Sequence, residues 1–509
     1  MDLSKSSVHR HQQAQQRRAQ HPESAFWESA AGADFLERVV YAALYQFGLK
    51  NHIGAEQLSE FFRLIRIDTH VGVSPNALRI RLRQMESLLP TFQAECEQSA
   101  TCPTPQRTVA MDEVFFNDQM LMVLMDLPSG YLLVEEAAED RRFVTWHEKA
   151  AARLQALNLE VKHAISDRAK ALIKLAVEGF GCAAGADLFH AQYDLSRWFP
   201  AALARATRTA AQAVGKTQKA LEKQHTTPSG DSPETCLLSA QAEQAAARHA
   251  ELEQALPTYR QHQQAISFAV HPFNKDSGEP NTAASVTASL HAEVDGLEGL
   301  TTRLAIPDTH GALGKFRRQI DDLGSHVDVW WHWVSHLLAD TGADPPLQDW
   351  VKYQLLPTVY WHHQHQQTQK KGQREAFQTA WEEASRHLRQ VPLPSRFLDD
   401  DLNYWLAWCE DKVQHFHRAS SAVEGRNGCL AQMYHKGRGL TDKRLKALTV
   451  IHNYGVRRAD GSTAAKRLFG TTFPDLFEWL LPQMGELALP RKRQGTVKPN
   501  SLMLQGVPP

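Results

Sequence analysis

Cysteine is scarce in this chain: six in 509 residues (Cys96, Cys102, Cys182, Cys236, Cys409 and Cys429), widely scattered, with no CxxC pair and no zinc-ligand spacing. That excludes a zinc ribbon or finger and a disulfide framework, and leaves free thiols in a reducing cytoplasm. Long apolar runs are missing too. None reaches the roughly 18–20 residues that a membrane span needs, so no membrane partner is expected. Residues 1–19 are rich in Gln, Arg and His and lack an apolar h-region, so they do not read as a signal peptide. Nor is there an excess of one charge: 56 Lys and Arg stand against 57 Asp and Glu, a formal net charge of -1. Global charge therefore gives no support for nucleic-acid binding, and any basic surface must be local. What is present is a 42% hydrophobic content with 22% charged residues, enough for a real core. At roughly 100–200 residues per domain, two to four structural units are expected.

Residues 1–25 read as a disordered tail and 26–95 as a helical unit. Within the latter, ADFLERVVYAALYQFGLK places apolar residues at helical spacing. A break at GVSP follows, where Ser74 suits a helix N-cap and Pro75 its first position. The helix from Asn76 carries Leu78, Leu82 and Met85 on one side and leaves Arg79, Arg81 and Arg83 to solvent, as the reading helix of a helix-turn-helix requires. An ordinary helical bundle with a solvated basic face gives the same pattern. After a linker at 96–106, RTVAMDEVFF, QMLMVLMDL and GYLLVEEA read as three short strands, with a PSG turn before the third. A helix over about 143–158 follows, then LEVKHAIS as a fourth strand, a helix in RAKALIKLAVEG, and ADLFHA as a fifth strand. Three strands, helix, strand, helix, strand is the ribonuclease-H-like order. Residues 201–410 are helical, opening with an Ala/Gln-rich antiparallel hairpin around TTPSGDSPET. Trp330, Trp331 and Trp333 read first as core. The fold class is thus α/β: an RNase-H-like mixed-sheet core (107–200 and 411–490) interrupted by a long all-α insertion (201–410). An N-terminal helix-turn-helix-like domain precedes it and a basic tail (491–509) follows.

Three acids fit this frame. Asp112 lies in the first strand and Asp167 ends the fourth, its neighbour in such a sheet, so both can face one pocket. Glu424, in SSAVEGRNG, suits a helix packed across that edge. Such a set can bind two divalent ions about 3.5–4 Å apart for phosphoryl transfer, with Asp112 bridging them and Asp167 and Glu424 each binding one. Mg²⁺, a hard cation, prefers these oxygen ligands, with Mn²⁺ able to substitute. Each acid also has a plain explanation. Asp167 suits a helix cap. Glu113 competes with Asp112, since adjacent strand residues face opposite ways. Glu424 reads equally as a surface glutamate. Asp126 falls at the hairpin turn, away from the centre, and Glu135 and Glu136 read as strand-end surface charges. Gly425 and Gly428 weaken the helix around Glu424 by up to about 1 kcal/mol each, which suggests close approach of another backbone or of DNA. Asn427 is placed to orient a water or a phosphate. Arg426, Lys436, Arg438, Lys443, Arg444 and Lys446 supply the local basic cluster that phosphate contacts need.

MDEVFF, VLMDLPSGYLL, AISD, DLFH and VEGRNG together resemble the DDE transposases of bacterial insertion sequences, especially the ISL3-like group. The resemblance covers residues 107–200 and 411–480. It implies Asp112, Asp167 and Glu424 as catalytic metal ligands. Asp187 and His190 correspond to a D-x2-H motif whose histidine contacts DNA or assists catalysis. It further implies cleavage at transposon ends and strand transfer into target DNA by a nucleoid-associated, cytoplasmic homodimer or larger assembly on double-stranded DNA. The chain lacks the cysteine-rich zinc element of many ISL3-like proteins, and its Ala/Gln hairpin is unlike their usual insertion. Two other readings compete: a related RNase-H-like nuclease, and a transposase-derived DNA-binding protein without turnover.

Overall fold

The computed structural model describes residues 5–27, 29–116, 119–225, 232–394, 399–435 and 440–488. Along the chain run α1 (Lys5–Gln20), α2 (Glu23–Trp27), α3 (Ala30–Ala43), α4 (Ala55–Leu64) and α5 (Pro75–Gln98). Next come the strands β1 (Gln106–Phe116), β2 (Gln119–Asp126) and β3 (Tyr131–Ala138), then α6 (Phe143–Ala156), β4 (Glu160–Ser166), α7 (Lys170–Lys174) and β5 (Ala183–Ala186). The helical stretch holds α8 (Leu188–His225), α9 (Pro233–Ala269), α10 (Ala283–Arg303), α11 (Ala312–Arg317), α12 (Ile320–Asp340), α13 (Pro345–Trp350), α14 (Leu356–Gln367), α15 (Lys371–Gln390) and α16 (Asp399–Gln414). The chain closes with α17 (Ser421–Met433), α18 (Asp442–Val450), α19 (Ala464–Phe469) and α20 (Leu476–Gln483).

The chain divides into two compact units, one of residues 102–432 and one of 1–101 with 433–509. The boundary near 432 falls inside the 411–490 stretch that the sequence reads as one piece. Where the sequence suggests a disordered N-terminal tail, Lys5–Gln20 is helical. Glutamines such as Gln12 and Gln16 lose little side-chain freedom in a helix.

Unit 102–432 is a mixed α/β body: a small mixed sheet and a large helical insertion. The sheet order is β3-β2-β1-β4-β5. The β1–β2 and β2–β3 pairs are antiparallel, and β1–β4 and β4–β5 are parallel. Strand β2 forms because apolar residues run almost without interruption (QMLMVLMD), giving a strand buried on both faces. Alternation in β1 then sorts its acids. Ala110 packs in a small apolar cluster with Val123, Ile165 and Val423 of α17, and Val114 packs against it from the partly buried side. Asp112, midway between Ala110 and Val114, shares that face. Glu113 faces the other way and accepts from the Trp146 indole of α6 at 3.0 Å.

The fifth strand is not ADLFHA. It is the preceding AAGA, and Asp187 is instead the last residue before α8, its Oδ1 accepting from the Phe189 amide at 2.7 Å. Small residues are needed in β5 because the rings of His163 and His326 press on it. A Cβ added at Gly185 would lie 2.5 Å from His326 Cε1 and 2.6 Å from His163 Nε2. In the insertion, α8 and α9 form a long antiparallel hairpin, and α10 to α16 surround an aromatic-rich core that contains Phe273, Trp330, Trp333, Tyr360 and Trp361. Tryptophans 330 and 333 are therefore core residues, 3% and 5% exposed.

In the other unit Ser74 caps α5, accepting from Ala77 N at 3.3 Å, with Pro75 at its first position. The α4–α5 connection, residues 65–74, contains a short 3-10 turn at Ile67–Thr69 and is longer than the 3–4-residue turn of a helix-turn-helix. Among the described residues, no helix is long and apolar enough to cross a membrane.

Candidate functional site

The parallel register pairs Ala110 with Ile165. Asp112 lies two residues further along β1, and Asp167 is the residue that follows the last of β4. Helix α17 crosses this end of the sheet and brings Glu424 and Asn427, and the start of α8 brings His190. The expected residues Asp112, Glu424, His190, Asp187 and Asn427 thus share one neighbourhood. Their mutual fields show it: Glu424 and Asp167 both push the Asp112 carboxyl upward, and Asp112 acts on His190.

Each acid, however, is held by a protein partner. Asp112 is 8% exposed; its Oδ2 accepts from the Asn427 amide at 2.7 Å and its Oδ1 from the Glu113 backbone amide at 2.9 Å. Burial, against that backbone hydrogen bond and with the Glu424 charge adding to it, raises its pKa to about 6. Asp167 is exposed, and its Oδ1 accepts from Ala169 N at 2.9 Å in the turn before α7, the plain structural role its position allows. Glu424 Oε1 lies 3.4 Å from His190 Nε2. On its other side His190 Nδ1 is 3.0 Å from Asp187 Oδ2. That hydrogen bond, opposed by burial and aided by the charges of Asp187, Glu424 and Asp112, raises His190 to about 9, so its ring is an imidazolium at neutral pH. Asp187 is buried, which pushes its pKa up, yet the bonds from His190 and from the Ser420 hydroxyl and amide hold it below its ordinary value.

The consequence overturns the metal-centre expectation. Among the described residues, no group of three or more His, Cys, Asp or Glu side chains is arranged to hold a metal ion. The two-ion Mg²⁺ or Mn²⁺ site does not hold. With it fall the DDE-type transposase identity, the metal-dependent cleavage and the strand-transfer activity that the sequence resemblance implies. The physical reason is local: an imidazolium, an asparagine amide and backbone N–H groups already engage these carboxylates.

The basic candidates separate in the same way. Arg426 is 8% exposed and makes a two-point ion pair with Glu135, both contacts 2.7 Å, so it is a buried structural cation and not a DNA contact. Glu135, expected as a strand-end surface charge, is 3% exposed for that reason. Asp126 is likewise fully buried, paired with Arg107 and taking the Ser129 amide of the hairpin turn. Arg79 pairs with Glu56, and Arg81 bonds to the carbonyls of Met484 and Glu486. Arg444 lies 3.4 Å from Glu86. Arg83, Lys443 and Lys446 are exposed. Lys436 and Arg438 lie outside the described residues. The helix-weakening glycines of α17 are not explained by close packing, since a Cβ at Gly425 or Gly428 would meet nothing within 4 Å.

Sequence reasoning missed the Glu135–Arg426 pair and Ser420, whose hydroxyl and amide fix Asp187. No local pattern signals either, because the partners are far apart in the chain. Residues 351–496 match the model of a family of unknown function, DUF6399. That segment runs from the later insertion helices through Glu424 and Asn427 into the second unit. No curated protein matches the chain.

Proposed function

We propose that this is a DNA-binding protein without turnover, derived from a transposase-like ancestor, its sheet an RNase-H-like core whose acid cluster serves structure. One observation carries the reading: three exposed basic side chains, Arg83, Lys443 and Lys446, on two packed helices of the unit formed by residues 1–101 and 433–509, called the ridge below. Helices α5 and α18 pack together, with Glu86 and Arg444 meeting between them. Arg83 lies one turn from Glu86, and its charge acts on that carboxylate. Lys443 and Lys446, three apart on α18, share a side of that helix and are exposed. This is the local basic surface that a nearly neutral chain needs in order to bind phosphates. Contacts of this kind supply affinity with little sequence readout.

The test is fluorescence anisotropy of the full chain with labelled duplex DNA in EDTA, across a range of salt. Binding without divalent ions is expected, weakening as salt rises. The combined variant Arg83→Gln, Lys443→Gln, Lys446→Gln is expected to flatten the log–log salt slope by about 0.9 for each phosphate it no longer neutralises. Affinity and slope unchanged in this variant would remove the ridge from DNA binding.

A further inference from the structure

The same unit carries a cleft of about 410 Å³, lined by residues that include Tyr45, Gln46, Lys50, Arg457, Asp475 and Phe477. This falls within the roughly 300–1,000 Å³ of small-ligand pockets and is larger than a bare oxyanion needs. Its charges are unevenly spent. Asp475 caps α20, with Oδ1 accepting from Phe477 N at 3.0 Å, while its Oδ2 faces Arg457 at 3.3 Å. Among the described residues, no carboxylate pairs with Lys50 in this way. Its Nζ donates to the Gly455 carbonyl at a long 3.3 Å and stands 5.1 Å from the centre of the Tyr45 ring. Burial lowers its pKa; the fields of Asp475 and Arg457 reach it with opposite signs. A lysine ammonium offers three donors, and here one is committed to protein.

The wall beside Lys50 is apolar and aromatic. The Tyr45 and Phe477 rings pack with centroids 5.4 Å apart, and Tyr454 and Leu476 complete the lining. Tyr45 is 7% exposed, and burial keeps its hydroxyl protonated well above neutral pH, so it stays a donor. The backbone at 455 is fitted to it: a Cβ there would lie 2.8 Å from the Tyr45 hydroxyl. The recess therefore joins an underpaired cation, a second cation at the rim and a hydroxyl donor to an apolar face.

We propose that this cleft binds a nucleotide phosphate monoester, with the phosphate on Lys50 and Arg457 and the sugar and base against the aromatic wall. A phosphate monoester carries more charge than an internal phosphodiester and can turn toward both cations, which favours a free nucleotide or a phosphorylated DNA terminus as the occupant. The site is separate from the α5–α18 ridge and stands whether or not that ridge binds duplex.

The test uses the full chain in two arms. In the first, thymidine 5'-monophosphate, thymidine and inorganic phosphate are titrated calorimetrically. In the second, duplexes with 5'-phosphate and with 5'-hydroxyl ends are compared by anisotropy. We expect the nucleotide to bind at least tenfold more tightly than either thymidine or phosphate alone. Lys50→Gln should remove that advantage. Phe477→Leu, which keeps apolar bulk at the wall, should weaken the nucleotide but not inorganic phosphate. A preference for 5'-phosphate duplex identifies the DNA terminus as the source; equal duplex affinities with nucleotide binding retained identify the free nucleotide. Absence of nucleotide binding by wild type, or a Lys50→Gln protein that binds it unchanged, would overturn the site. Loss of duplex binding alone would count only against the ridge.

Discussion

Replacing Asp112 with Asn should make the protein more stable at neutral and alkaline pH. Asp112 is buried beside Glu424 and within the field of Asp167, and its carboxyl is raised from 3.8 to about 6. At about 1.36 kcal/mol for each pH unit, keeping it ionised in the fold costs about 3 kcal/mol. The sign follows from linkage. A carboxyl whose folded pKa lies above its unfolded value binds more protons in the folded state between those two values. Stability therefore falls as pH rises from about 4 to about 6 and stays reduced above that. An asparagine is neutral throughout and keeps one oxygen for the Asn427 amide, now bonded at 2.7 Å; its NH2 then faces the Glu113 N–H that Oδ1 accepts at 2.9 Å, a loss of about 1 kcal/mol at every pH that leaves the pH-dependent part of the gain intact. Urea denaturation of wild type and Asp112→Asn near pH 4 and near pH 8 measures the effect. The variant's stability relative to wild type should be up to about 3 kcal/mol greater at the higher pH than at the lower. Repeating the series with millimolar MgCl₂ sharpens it. A ligand that binds only the folded state stabilises by about 2.7 kcal/mol at one hundred times its dissociation constant. We expect no magnesium effect on either protein. A wild type that magnesium stabilises, beside an Asp112→Asn variant that it does not, would refute the reasoning and restore a metal centre.

Three further outcomes are expected. His190, raised to about 9 chiefly by its hydrogen bond to Asp187, contributes stability that is full below its unfolded value near 6.5 and lost as pH rises through 9. His190→Gln should therefore flatten the stability profile between those values, and thermal melts across that range check it. Arg426→Leu takes the guanidinium away from the buried Glu135 carboxylate and should cost about 3–5 kcal/mol in chemical denaturation, since the two make a two-point pair at 2.7 Å. Gly185→Ala drives a Cβ to 2.5 Å from His326 Cε1, and overpacking of this kind should cost about 1–3 kcal/mol, measured the same way.

The parts of the fold legible in the sequence are those decided by short-range patterns. The apolar run of β2, the alternation across Asp112 and Glu113, and the Ser74–Pro75 helix start all appear where local residue preferences put them. Strand β5 was hidden because its sequence, AAGA, has no β-branched or aromatic residue. It is held by its parallel pairing with β4, and the two histidine rings over Gly185 leave room there for no side chain. The site divides along the same line. Strand positions and the VEGRNG helix place Asp112, Glu424 and Asn427 together, since register follows from pattern. What each carboxylate binds does not. The Glu424–His190 contact and the Arg426–Glu135 pair join residues hundreds of positions apart, and they decide whether an acid is free to take a metal or a basic residue free to take a phosphate.

The most direct test incubates end-labelled duplex DNA with the full chain in Mn²⁺, and reads binding on a native gel and strand integrity on a denaturing one. We expect retarded but uncut DNA, equally for wild type and Asp112→Asn. Nicked or joined products formed by wild type and absent with Asp112→Asn would contradict a DNA-binding protein without turnover.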